Sequence, residues 1–462
     1  MNRTRSNKVV SWASQLGPRF LPFADAASED LPLSRLLRLS LFQISVGMAM
    51  VMLVGTLNRV MIVELGVPTS LVSFMVALPL LIAPFRALIG FQSDHHRSHL
   101  GWRRVPYIWM GTLMQFGGFS IMPFALLVLS GAGQSAQAPQ WVGQFGAALA
   151  FILVGIGMHT TQTAGLALAT DLAPQDKQAK VVGLMYVMQL FGMMGSALLL
   201  GDLLADYSPG TLIRVVQAVA VTTLVLNVIA VWKQEARSRQ RQPGSPLEES
   251  FQNSWRVFCE GPHTLRRLAV VGLGSMAFTM EDVLLEPYGG EILKLSVSST
   301  TLLTFTLALG GLMGFAWASR VITRGADPYQ MASWGALTGL PAFICVILAA
   351  PLMSVPLFVL GIFLIGLGGG LFAHGTLTAS MNLAPPDQTG LAMGAWGAVQ
   401  ATASGIGVAL GGLLRDGVAQ WSDSVTGYST VYGIEVLMLI ITLVAMRPLL
   451  RNTHSLAIGK GR

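Results

Sequence analysis

The chain has 462 residues, of which 53% are hydrophobic and only 11% charged, whereas soluble domains carry roughly 25% charged residues. The hydrophobic share, about 245 residues, fills roughly twelve spanning helices of about 20 residues each and leaves no room for a separate soluble domain. The net charge of +7 reads as membrane topology and attraction to anionic lipid, and nucleic acid is not an expected partner.

In chain order, residues 1–35 form a basic, mixed tail with no apolar core and no cleavable signal. Its Trp12–Phe23 stretch either lies on the membrane surface or belongs to a disordered tail. Apolar runs bounded by charge, Gly or Pro then predict helices at 36–57, 69–90, 105–129, 143–169, 178–201 and 212–232. Six more follow at 267–287, 297–319, 329–350, 355–380, 390–413 and 429–447. The polar stretch "KQEARSRQRQPGSPLEES" marks a linker, 233–266, between an N-terminal half (36–232) and a C-terminal half (267–447), and 448–462 is a polar tail. Of 29 Lys and Arg, 24 fall on the side of the termini and linker, which places both termini in the cytoplasm. Cys259 in a polar loop and Cys345 in an apolar run predict no disulfide.

The halves repeat. "LAPQDKQAKVVGLMYVMQ" (172–189) aligns without gaps on "LAPPDQTGLAMGAWGAVQ" (383–400), pairing Gly183 with Gly394 and Gln189 with Gln400. At the same offset Gly155 and Gly157 fall on Gly366 and Gly368, and a weaker match sets Gly111 on Gly335. Two six-helix halves related in this way are the mark of a duplicated transporter fold with a cavity at the half interface. The fold class expected is therefore an all-α membrane protein of twelve transmembrane helices in two six-helix pseudo-repeats.

Those features, with the charged Gly90-x-x-x-Asp94 loop and Arg103-Arg104, resemble the major facilitator superfamily, although His95 replaces a basic residue and the spacing is stretched. "GTLNRVMIVELGVP" (55–68), "LPLLIAPFRALIGFQSD" (78–94), "HRSHLGWRRVPYIWMGTLMQFGG" (96–118), "GMHTTQTAGLALATDLAP" (157–174) and "DVLLEPYGGE" (282–291) resemble one branch, the PucC/LhaA or bacteriochlorophyll delivery family. The resemblance runs from about residue 32 to 447. It implies an assembly factor for the light-harvesting complexes of purple phototrophic bacteria, in the cytoplasmic or intracytoplasmic photosynthetic membrane. It further implies transient bacteriochlorophyll binding without a tightly held cofactor. The implied partners are antenna α and β polypeptides and the reaction-centre core assembly, and the bacteriochlorophyll synthase and insertion machinery are further candidates.

Polar residues inside membrane helices are costly and default to functional candidates. Asn58, Arg59 and Glu64 close the first helix, where they either snorkel to headgroups or form an ion pair gating the far mouth. Arg86 lies one turn before Gly90, and Asp94 with Arg103 and Arg104 reads as a loop latch. His159, followed by Gln162 and Thr163, and His374 are candidate pigment ligands, or else hydrogen-bond neighbouring helices. Asp282 and Glu286, beside Glu281, are candidates for a cavity mouth or for proton coupling. The Gly192-x-x-Gly195 and Gly405-x-Gly407-x-x-x-Gly411 runs predict close helix packing. Asp94, His95, His96 and His99 cluster in a predicted cytoplasmic loop with no helix to hold them, so no metal site is expected. No phosphate-binding loop, nucleotide fingerprint or nucleophile–base motif is present, so catalysis is not expected. The rival function is a secondary transporter moving a small solute by alternating access, and a scaffold binding antenna helices without touching pigment is a third.

Overall fold

Apolar runs of this length can satisfy their backbone groups inside a bilayer only as helices, and twelve helices form among the described residues. The computed structural model describes residues 23, 26–28, 31–82, 101–131, 137–174, 177–235, 263–382 and 389–459. We label the helices α1 (Leu33–Glu64), α2 (Thr69–Ile82), α3 (Val105–Leu129), α4 (Gln140–Leu172), α5 (Gln178–Leu203) and α6 (Pro209–Val231). The second half follows with α7 (Thr264–Glu291), α8 (Val297–Thr323), α9 (Pro328–Ala349), α10 (Val355–Asn382), α11 (Thr389–Trp421) and α12 (Ser424–Gly459). Eleven of these are long and apolar enough to cross a membrane, and α2 adds a shorter apolar run. The chain is an integral membrane protein.

Within each half, α3 packs on α4 and α9 packs on α10. Glycines allow these approaches: a methyl group at Gly111 would come within 2.6 Å of the Gly157 carbonyl oxygen, and one at Gly335 within 2.5 Å of the Gly368 carbonyl oxygen. The two glycine pairs aligned by the repeat are thus the same helix crossing, built twice. The halves meet through α2 on α11 and α5 on α8. Gly405 lies against Leu81, while Gly407 and Gly411 lie against Met276 and Met280 of α7. Gly192 packs on the backbone of Ile44, whereas Gly195 faces open space.

Several helices outrun their predicted ends, because the apolar pattern reports the hydrocarbon thickness while the helix continues into the polar zone. The backbone of α12 stays helical to Gly459, through much of the expected 448–462 tail. Two departures concern α1 and α7. Helix α1 widens into π-helical turns at Val51–Leu57 and Val60–Glu64, so Asn58, Arg59 and Glu64 belong to the helix and not to a loop after it. Helix α7 is interrupted: its first run ends at Ala277, a 3-10 turn covers Met280–Val283, and the α-helix resumes over Leu285–Glu291.

Of the expected N-terminal tail, Phe23, Ala26 and Leu31 pack against the body: Ala26 and Leu31 are buried, and the Phe23 ring meets Gly183 of α5 and Phe315 of α8. Their apolar side chains join the core around Phe42, Leu168 and Leu184. The rest of Trp12–Phe23, the His95–His99 cluster, Arg86, Asp94 and most of the central linker lie outside the described residues.

Arg35 at the start of α1 donates to the side chain and carbonyl of Gln234, beyond the end of α6, at 3.0 and 2.8 Å. We call this the linker side and the opposite one the far side.

Candidate functional site

Between the halves lies a central cavity of two compartments, about 220 Å³ toward the far side and about 370 Å³ toward the linker side. Met50, Leu80, Met158, His159, Gln400 and Ser404 border both. The wall is mostly aliphatic and aromatic, with a few polar groups at set positions, as in small-molecule sites generally.

His159 is positioned by the glycines before it on α4. Gly155 lies against Pro79 of α2 and Gly157 against α3, which brings this stretch of α4 up to the cavity. One turn on, the Gln162 amide donates to Gln189 at 2.9 Å and to Gln43 at 3.3 Å, tying α4 to α5 and α1. Gln189 and Gln400, equivalent in the repeat, both line the linker-side compartment, one from each half. Thr163 turns its hydroxyl back to the His159 carbonyl at 2.8 Å, a bond within the helix, and lies outside the cavity lining. His374 also lies outside it. The α10 lining is Gly369, Gly370, Ala373 and Leu377, and the His374 ring sits 4.3 Å from that of Phe315. Gly370 is the repeat equivalent of His159, so His374 falls a turn further along its helix.

The far side of the cavity is sealed by α1 against α7 and α8. The Arg59 side chain, only 4% exposed, forms an ion pair with Glu64 and donates to the Leu295 carbonyl at 3.2 Å, above Gly290. It therefore points into the half interface and not toward headgroups. Asn58 donates to the Val283 carbonyl at 2.8 Å, Thr56 meets Thr301 at 3.3 Å, and Thr304 donates to Glu286 at 2.5 Å. Asp416 of α11 accepts the Ser70 backbone N–H at 2.7 Å, capping α2 across the half interface. Asp282 borders the far-side compartment, while Glu281 and Glu435 are wholly buried behind it.

On the linker side the two arginines of the expected latch have partners among the described residues. Arg103 and Arg104 pair with Asp171 at the end of α4, at 2.7 and 2.9 Å. The Glu235 carboxylate accepts the backbone N–H groups of Arg103, Arg104 and Val105 at 2.6, 3.0 and 2.9 Å, capping the N-terminus of α3. Spacing alone had no means of finding Asp171 or Glu235, because each lies far along the chain. Glu435 did carry a signal, as a lone acid inside an apolar run. Among the described residues, no grouping of His, Cys, Asp and Glu is suited to a metal ion.

Comparison with known proteins agrees with this architecture. The family model described as PUCC protein matches residues 56–454. Protein PucC of Rhodovulum sulfidophilum is 62% identical over 422 residues, covering 90% of this chain and 92% of that one. Protein PucC of Rhodobacter capsulatus is 56% identical over 444 residues, covering 94% and 96%. Among solved structures, a bacterial homologue of the human lysosomal transporter Spinster, inward-facing and unoccupied, superposes with a TM-score of 0.67 at 14% identity, over 90% of this chain and 97% of that one. That likeness concerns the fold, which is major-facilitator-like. With the family model matching most of its length, the chain belongs to the PucC family.

Proposed function

We propose that this protein is an assembly factor for a bacterial light-harvesting complex, taking bacteriochlorophyll as transient cargo and docking antenna polypeptides in the bilayer. The observation that carries the reading is family membership across residues 56–454. The cavity supports it. An apolar wall suits a chlorin, and His159, which borders both compartments, is of the side-chain type most used to ligate metals. Gln162, Gln189 and Gln400 add hydrogen-bonding amides beside it. Compartments of about 220 and 370 Å³ lie below and near the lower end of the roughly 300–1,000 Å³ of drug-sized ligand sites, so a tailed pigment would leave its tail in lipid. No catalytic step is assigned to any residue.

The excess of Lys and Arg on the linker side supports a cytoplasmic position for that side and a periplasmic one for the Arg59–Glu64 seal. The proposed location is the inner or intracytoplasmic photosynthetic membrane. Antenna α and β polypeptides, the reaction-centre core assembly, the bacteriochlorophyll synthase and the insertion machinery are the proposed partners. A second reading, alternating-access transport of a small solute, draws on the sealed far side.

Gentle purification from a phototrophic host followed by absorption spectroscopy tests the proposal. Bacteriochlorophyll is expected with the protein or with its antenna-bound complex, and His159→Phe loses most of it. Pigment absent from both preparations would sink the reading, and solute uptake into vesicles by the pigment-free protein would favour the second.

A further inference from the structure

The interruption of α7 places two acids back to back in mid-membrane. On the 3-10 turn Met280–Val283, Asp282 borders the cavity and Glu281 has no exposed surface. Helix α12 contributes Glu435, also without exposed surface, with the Glu281 backbone amide beside its carboxyl group. None of the four carboxyl oxygens of Glu281 and Glu435 has a well-formed hydrogen bond among the described residues. The same holds for the hydroxyl of Tyr432, wholly buried, nearly one turn before Glu435 and electrostatically in reach of both acids.

Among the described residues the surroundings supply no compensating cation. Titratable neighbours of the pair are Asp282 on the same turn and Tyr432 on α12, and Tyr432 in turn neighbours Tyr428 on α12 and Tyr288 further along α7. Helix α1 meets the turn through the neutral Asn58 amide, α11 through Gly411, and α2 carries no titratable residue over Thr69–Ile82. Of the cations at this end, Arg59 is engaged with Glu64 and Arg415 with Glu291 and Asp416, while Arg214 and Lys294 are exposed. Burying an ionised carboxylate without a partner costs several kcal/mol, and two facing each other cost more. The described residues offer no metal-binding group of three. A neutral carboxyl group supplies the O–H donor that the pair lacks, with the other acid or the Tyr432 oxygen as its acceptor.

We propose that Glu281 and Glu435 form a buried proton-binding dyad, reached from the central cavity through Asp282. Protonation there neutralises the contact between the broken turn of α7 and α12, next to the α1 seal, so proton occupancy is tied to the packing that closes the far side. The inference stands independently of what cargo the cavity takes.

Infrared spectroscopy of the full chain in lipid nanodiscs at neutral pH tests it. The wild type is expected to show a carbonyl band of protonated carboxylic acid that shifts in D2O and shrinks in E281Q/E435Q. Glutamine matches the shape of the neutral acid, so this variant should remain monodisperse. Should it not survive extraction, E435Q alone, which leaves the turn untouched, must lose its share of the band. D282N is expected to slow the deuterium exchange of the band several-fold. A wild type without the band, or Gln variants with an undiminished one, overturns the dyad. Unchanged exchange in D282N overturns the route.

Discussion

In the N-terminal half, the polar side chains in and beside the cavity wall are amides and an imidazole: Gln162 donates to Gln43 and Gln189, and His159 stands at the junction of the compartments. The C-terminal half instead brings acids toward the far side, Glu281, Asp282, Glu286 and Glu435, three of them wholly or almost wholly buried. The frames are nonetheless alike, since the same glycine crossing joins α3 to α4 and α9 to α10. Duplication therefore preserved the backbone approaches, which tolerate little change, and let the cavity-facing chemistry diverge. A wall of amides and an imidazole thus sits opposite a half in which α7 breaks beside buried acids.

The sharpest way to break this picture is to test whether the two crossings really are equivalent. A methyl group at Gly157 would come within 2.5 Å of the Gly111 carbonyl oxygen, and one at Gly368 within 2.8 Å of the Gly335 carbonyl oxygen. Overpacking of this kind costs about 1–3 kcal/mol, and backbone neighbours cannot rotate away. Thermal unfolding in one fixed detergent should show both Gly157→Ala and Gly368→Ala destabilised by about that much, with Gly157→Ala the worse. If either variant unfolds at the wild-type temperature, the shared frame is not what holds that half.

A smaller effect separates the halves at their linker-side helix starts. Helix α3 borrows a carboxylate from Glu235, which accepts three backbone N–H groups, whereas α9 caps itself with Asp327 accepting from Tyr329 at 2.8 Å. Loss of a capping carboxylate costs about 0.5–2 kcal/mol. Glu235→Gln should fall toward the upper end and, unlike Asp327→Ala, should loosen a tertiary contact between α6 and α3. Hydrogen exchange at Arg104 and Val105 should quicken about tenfold in Glu235→Gln, as local opening easier by about 1.4 kcal/mol implies. Equal protection in variant and wild type would show that the cap is dispensable.

How much of this was readable from the chain follows from the range of each signal. The bilayer imposes runs of about 20 apolar residues, so twelve helices were legible, as was the repeat, because 172–189 and 383–400 match without gaps. His159 and Gln162 were legible as polar groups inside α4, and both border the cavity. His374 reads the same way in one dimension, yet Gly370 is the residue at the repeat position of His159, and the Phe315 ring sits tilted against His374. The break in α7 left no trace, since Thr264–Glu291 is apolar enough to look continuous. Partners were invisible too. Asp171 lies 67 residues from Arg104 and Glu235 lies 131 residues from it, distances over which only the folded backbone sets proximity.

The far side offers the finest comparison, because each half closes there with an arginine, a glutamate and a tyrosine. In the C-terminal half Arg415 stacks 4.7 Å over the Tyr428 ring, and both groups reach Glu291, which is 30% exposed. In the N-terminal half Glu64 is 36% exposed, and Tyr207, in the connection between α5 and α6, interacts with Arg59 and Glu64 only through space. Burial pushes the Tyr207 phenol above its ordinary value near 10; Glu64 raises it further and Arg59 opposes the rise. A proton held more tightly in the folded state gives stability that is complete below the unfolded value near 10 and is lost as pH rises through the folded one. Tyr207 is only half-buried, so solvent screening keeps this contribution well under about 1 kcal/mol. Glu64→Gln removes one of the two raising influences. The phenolate absorbance attributable to Tyr207, taken as the difference from Tyr207→Phe, should therefore appear at lower pH than in wild type. A midpoint that stays put, or moves up, would mean that Glu64 does not act on this tyrosine and that the two triads are alike in composition only.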